Sequence, residues 1–135
     1  MNKPFKIIDL FAGPGGLGEG FSSLTQNKGR HPFKISLSVE KELSAQKTLQ
    51  LRAFFRQFPT GEAPEAYYHF LAGKLGKDPE EQLYKLPEYQ KQVAAATEEA
   101  CQFTLGKNNR KIFNKIKKCL GDNKAPWVLI GGPPS

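Results

Sequence analysis

The chain has 135 residues, room for one domain of ordinary size with a real core and little more. Lys+Arg is 20 against Asp+Glu 13, a formal net charge of +7 that permits a polyanionic partner without requiring one. No apolar run approaches the length of a signal peptide or a membrane span, and the two cysteines, Cys101 and Cys119, lack the paired spacing of a zinc site, so a soluble cytoplasmic protein without a metal is expected.

In chain order, Phe5 to Phe11 is a short apolar run that ends in glycines, the pattern of a buried parallel strand. Gly13-Pro14-Gly15-Gly16 reads as a tight turn. Leu17, Phe21 and Leu24 recur at helical spacing after it. Phe33 to Val39 alternates and reads as a second strand, ending at Glu40. Ser44 is placed to cap a helix whose stripe is Leu51, Phe54, Phe55 and Phe58. Prolines and acids then mark helix starts, with helices expected near 64–75, 79–85 and 87–102. A short strand is expected at Phe103-Thr104-Leu105, and a helix over about 109–120 that stops at Gly121. Both cysteines fall in stretches that read as helix. Pro126 to Ile130 is a last apolar strand, with Trp127 expected in the core, followed by Gly131-Gly132-Pro133-Pro134-Ser135. The alternation of strands and helices predicts an α/β, doubly wound parallel sheet.

Residues 13–18, Gly-Pro-Gly-Gly-Leu-Gly, satisfy G-x-G-x-x-G between a strand and a helix. Glycines there allow positive φ and close approach of a ligand to the backbone. An acid at the end of the second strand, Glu40, can accept hydrogen bonds from ribose hydroxyls. A nucleoside-containing cofactor follows. The pattern alone admits both a dinucleotide of the NAD type and S-adenosylmethionine.

The longer string Asp9-Leu10-Phe11-Ala12-Gly13-Pro14-Gly15-Gly16-Leu17 resembles the first motif of the cytosine-5 DNA methyltransferases. Val39-Glu40 is similar to the family's second motif, and Val128 to Pro134 resembles its fourth. The resemblance implies a Rossmann-like S-adenosylmethionine-dependent methyltransferase fold. Residues 1–135 would be the N-terminal part of the cofactor-binding domain, with a helical insertion at about 60–102 and the target-recognition domain absent. It implies a cofactor site of Asp9, Phe11, Ala12, Gly13, Gly15, Gly16, Leu17, Glu40 and Pro133. Asp9 would sit under the turn, orienting its backbone or approaching the methionyl amino group. The family's reaction is attack of a cysteine thiolate on an extruded cytosine in double-stranded DNA, followed by methyl transfer to C5.

Ser135 stands where that cysteine is expected. It is a substituted nucleophile, a feature of the chain end, or a sign that the nucleophile lies just beyond. The segment after the expected third strand has no acid to meet the adenine amino group, leaving backbone, Asn108 or Asn109. The 135 residues alone are therefore expected to be inactive, and the parent enzyme to serve restriction–modification. A dinucleotide-binding domain and a non-catalytic methyltransferase-like module remain as alternatives. Three features have plainer readings. The basic face on the last helix is expected to be solvated, Tyr67 to Phe70 to form a core stripe, and His31 and His69 to be structural or surface residues.

Overall fold

A computed structural model describes residues 3–26, 29–59, 64–122 and 124–132. The elements in order are β1 (Phe5–Leu10), α1 (Gly16–Ser22), β2 (Phe33–Glu40), α2 (Leu43–Arg56), α3 (Glu65–Leu71), α4 (Pro79–Tyr84), a 3-10 turn (Pro87–Tyr89), α5 (Gln90–Glu99), β3 (Ala100–Gln102), α6 (Asn109–Leu120) and β4 (Trp127–Ile130). The four strands form one parallel sheet in the order β3-β2-β1-β4. The chain thus runs outward from β1 through β2 to β3, then returns to the other side of β1. The expected α/β architecture is present.

Parallel strands covered on both faces explain the near-continuous apolar runs of β1 and β2. Ile8, Leu37 and Val39 are buried against Cys101 and Ile112, so α6 covers one face of the sheet. The other face carries α1 and α2, where Ala12, Leu49 and Ala100 meet. A second core lies outside the sheet. Phe54, fully buried, is surrounded by Ala53, Ala66, Leu83 and Ala96. Its ring meets Phe55, Phe58, Tyr84 and Tyr89 edge-on at 5.2–6.0 Å. The helices between α2 and β3 close over this ring. Phe70 joins the cluster and Tyr67 packs edge-on against Phe55 at 4.8 Å, whereas Tyr68 is exposed, so the expected aromatic stripe is only partly core.

Four expectations need correction. The third strand is Ala100–Gln102, not Phe103–Leu105, and Cys101 lies on it rather than in a helix. The local run Val93 to Glu99 favours helix, and α5 takes it up to Glu99. At Ala100 two-sided burial takes over: Ala100 faces Ala12 and Leu49, and Cys101 faces Ile8 and Val39. The alternation of a strand serves both faces, and tertiary pairing with β2 overrides propensity. Ser44 does not cap α2. Glu42 holds the cap position without a side-chain bond. Trp127 is 42% exposed rather than core, because β4 pairs with β1 alone among the described residues and its outer side chains stay uncovered. Pro133, Pro134 and Ser135 lie outside the described residues.

Candidate cofactor site at the glycine turn

Strand order places the site. In an open parallel sheet, ligands bind outside the carboxyl ends of the strands where the winding reverses. Here the reversal falls between β1 and β4, and the glycine turn leaves the carboxyl end of β1 at that point.

Three glycines here, Gly13, Gly15 and Gly18, answer separate demands. Gly13 has φ 57 and Gly15 φ 95, both in the left-handed region. A Cβ at Gly15 would also stand 2.8 Å from Leu49 Cδ2 on α2. Gly18 lets α1 press onto the sheet, since a Cβ there would meet Ile35 Cδ1 at 3.0 Å and Asp9 Oδ2 at 3.2 Å. Phe11 is left-handed as well, at φ 57, a conformation that costs a non-glycine residue about 1 kcal/mol or more. The residue is 40% exposed.

The turn is tied to the second strand. The Ala12 N–H donates to the Val39 carbonyl at 3.0 Å, and the Gly15 N–H to the Ala12 carbonyl at 3.1 Å. Glu40 closes the arrangement: its Oε1 accepts from the Gly13 N–H at 3.2 Å and its Oε2 from the Glu42 N–H at 2.8 Å. A carboxylate offers about four acceptor positions, so Glu40 keeps capacity for two further donors. The structure therefore brings Gly13, Ala12, Gly15 and Glu40 into one bonded unit.

Asp9 lies beneath. It is 1% exposed, and neither carboxyl oxygen has a partner. It makes no hydrogen bond to the turn backbone, so it does not orient the turn in that way. Burial pushes its carboxyl up to about 6 from the ordinary 3.8.

A cavity of about 570 Å³ opens beside the turn, walled by Leu10, Phe11, Leu17, Phe21, Ile130 and Gly131 among others. Gly131 is required where β4 leaves the sheet, because a Cβ there would run into the Leu10 carbonyl. Phe11 and Leu17 line this space. Asp9 and Glu40 do not.

Elsewhere, side chains already have work. Asn108 Oδ1 accepts the Thr104 N–H at 2.8 Å and Asn109 Oδ1 the Gly106 N–H at 2.7 Å, bracing the loop from β3 to α6. Both thiols are pushed up by burial, which suits structural cysteines and not nucleophiles. His31 Nδ1 donates to the Ser22 and Leu24 carbonyls. On the basic helix, Lys115 and Lys118 both contact Glu98, at 3.0 and 3.6 Å. No group of three or more His, Cys, Asp or Glu suited to a metal occurs among the described residues, and no helix there is long and apolar enough to cross a membrane.

One cluster escaped the sequence reading. Arg56, at the end of α2, donates through Nε to Glu19 on α1 at 2.9 Å, and through its two terminal nitrogens to Glu99 at 3.1 and 2.7 Å. Three elements are pinned by one guanidinium, and one of them is the helix that follows the glycine turn. A signal was available: Glu98-Glu99 ends α5, where acids oppose the helix dipole and need another reason to be there.

No protein-family model matches the chain, and no solved structure matches it at a significant level. A curated relative does: the chain is 40% identical over 65 residues to a protein named type II methyltransferase M.Bpa9945I from Bacillus paralicheniformis. The matched stretch is 48% of this chain and 13% of that protein's length, so the chain spans a small part of the relative it resembles.

Proposed function

We propose that this chain is the S-adenosylmethionine-binding portion of a DNA (cytosine-5-)-methyltransferase, whose longer parent acts on double-stranded DNA in restriction–modification. Residues 1–135 form the N-terminal part of its cofactor-binding domain, about 60–102 are a helical insertion, and target recognition belongs to other parts of the parent. The observation that carries this reading is the bonded unit of glycine turn and Glu40 at the sheet's reversal point. The similarity to a type II methyltransferase and the motif string from Asp9 to Leu17 support it.

The residues fit an adenosyl group carrying a methionyl zwitterion. Glu40 has acceptor capacity left for ribose hydroxyls, and Phe11 and Leu17 present exposed apolar surface for a base. Ala12, Gly15 and Gly16 keep the backbone close and free of side-chain bulk. Asp9 is a buried carboxyl without a partner, suited to balance an ammonium group nearby. Bound, this cofactor supplies an electrophilic methyl group. The protein's part is to orient it and keep water away. The N–H groups of Gly13 and Gly15 are already bonded, and the cavity wall is apolar. A phosphate-free cofactor asks less of such a turn than a pyrophosphate does, which favours this reading over an NAD-type site.

Pro133 and Ser135 complete the proposal. Pro133 would hold the start of the catalytic loop against the cofactor. Ser135 stands at the nucleophile position, and a serine hydroxyl is far less acidic than a thiol. The 135 residues therefore bind the cofactor without transferring its methyl. Equilibrium dialysis against labelled S-adenosylmethionine tests the reading. Binding displaced by S-adenosylhomocysteine and not by NAD is expected, with no label passed to cytosine in duplex DNA. Displacement by NAD alone, or label in the DNA, would overturn it.

A further inference from the structure

A second cavity, of about 590 Å³, lies at the opposite end of the sheet from the glycine turn. The strands are parallel, and this cavity is walled by their starts: Phe5 and Lys6 of β1, Trp127 of β4, and the residues leading into β2. It is thus separate from the site described above. Its polar lining holds three cations, Lys3, Lys6 and Arg30, beside the neutral Gln26 and the imidazole of His31, and none of its lining residues is acidic. Its apolar lining includes two half-open aromatic rings, Phe5 at 44% and Trp127 at 42% exposure.

The cations are largely uncommitted. Lys6 Nζ donates to the Cys119 carbonyl at the end of α6, which uses one of its three donors. Arg30 makes one long contact, 3.4 Å, from Nη2 to Gln26 Oε1. No ion pair holds Lys3, Lys6 or Arg30 among the described residues. Positive charge beside open aromatic faces, in a concavity of ligand size, matches one chemistry: a phosphate joined to an aromatic base. We propose that this cavity binds a phosphate-bearing nucleobase, the phosphate held by Lys3, Lys6 and Arg30 and the base set against Trp127 and Phe5. A free nucleotide and a segment of single-stranded nucleic acid both carry that chemistry.

Trp127 is the chain's only tryptophan, so its fluorescence reports on the cavity directly. The test titrates the protein with a nucleoside 5′-monophosphate and, separately, with a short single-stranded oligonucleotide, S-adenosylhomocysteine being present at saturation. Saturable quenching is expected. Quenching by the mononucleotide at equal affinity assigns a nucleotide pocket, and quenching by the oligonucleotide alone assigns a strand-binding one; either bears the proposal out. With three phosphate contacts to a single strand, a fourfold rise in salt weakens binding roughly twentyfold. Lys6→Gln with Arg30→Gln should weaken it at least as much, with an unchanged circular dichroism spectrum. Arg30→Gln alone, at an exposed side chain, repeats the test if the double variant does not fold. Absence of quenching by both ligands overturns the proposal. So does quenching indifferent to salt and to these substitutions, or quenching seen only without S-adenosylhomocysteine, which would place the ligand at the glycine turn.

Discussion

Asp9 is a carboxyl enclosed by protein with no hydrogen-bond partner, and that has a measurable consequence in the ligand-free protein. Its folded pKa, about 6, lies above the ordinary 3.8, so the fold favours the protonated form. The associated stability is complete below the unfolded value and is lost as pH rises through about 6. The loss is about 3 kcal/mol once the group is ionised. Asp9→Asn removes this penalty while keeping the shape. Denaturant unfolding should show the variant gaining on the unsubstituted chain as pH goes from about 3 to about 7, by up to about 3 kcal/mol. A gap that does not change with pH would mean that Asp9 has a partner in solution. Gly15 makes the opposite case. Gly15→Ala meets both a left-handed backbone and Leu49, so the turn must shift; a loss of 1–3 kcal/mol, roughly, is expected together with loss of cofactor binding. Much of this was legible in the sequence: the glycine spacing, and Asp9 and Glu40 at the strand ends. The left-handed backbone of Phe11 was not. No residue type announces it, and it arises from the turn being bonded at both ends, to Val39 and to Ala12.

Among the elements, α1 and α2 show how the turn is kept in place. Seven residues make a short helix, too short to stand alone, and α1 is held by Gly18 against the sheet and by Glu19 against Arg56. Arg56 also covers Glu99, which is 7% exposed. Arg56→Met leaves that acid buried beside an apolar chain. The expected cost is about 3 kcal/mol, read by thermal or denaturant unfolding, and Glu99→Gln in the same chain should restore part of it. No recovery in the double variant would show that the two side chains do not act together. The helices between α2 and β3 depend on Phe54, so Phe54→Ala should cost about 3–5 kcal/mol. Helix periodicity made α2 and α6 readable, and proline with acids marked α4. The third strand was hidden because three residues, Ala100–Gln102, carry too little pattern to outweigh the helix-favouring run before them. Only the neighbours on both faces decide it. Trp127 was misplaced for a related reason: an apolar strand reads as buried whether or not something covers it.

At the scale of the molecule, one parallel sheet carries two cavities at opposite ends, with different linings. The end at the glycine turn is apolar and bonded tightly through Glu40. The other end is basic and aromatic. The order β3-β2-β1-β4 makes the first end a reversal point; the alternation of strands and helices announced a parallel doubly wound sheet, but neither that order nor the bare outer side of β4. The central claim is that Glu40 and the turn it anchors hold the adenosyl part of S-adenosylmethionine. Calorimetric titration of the parent chain and of Glu40→Ala with S-adenosylhomocysteine, and of both with NAD, tests it most directly. The account predicts binding of S-adenosylhomocysteine by the parent, weakened at least tenfold, about 1.4 kcal/mol, in Glu40→Ala, with no heat from NAD. Tight binding of NAD with no response to S-adenosylhomocysteine would contradict it.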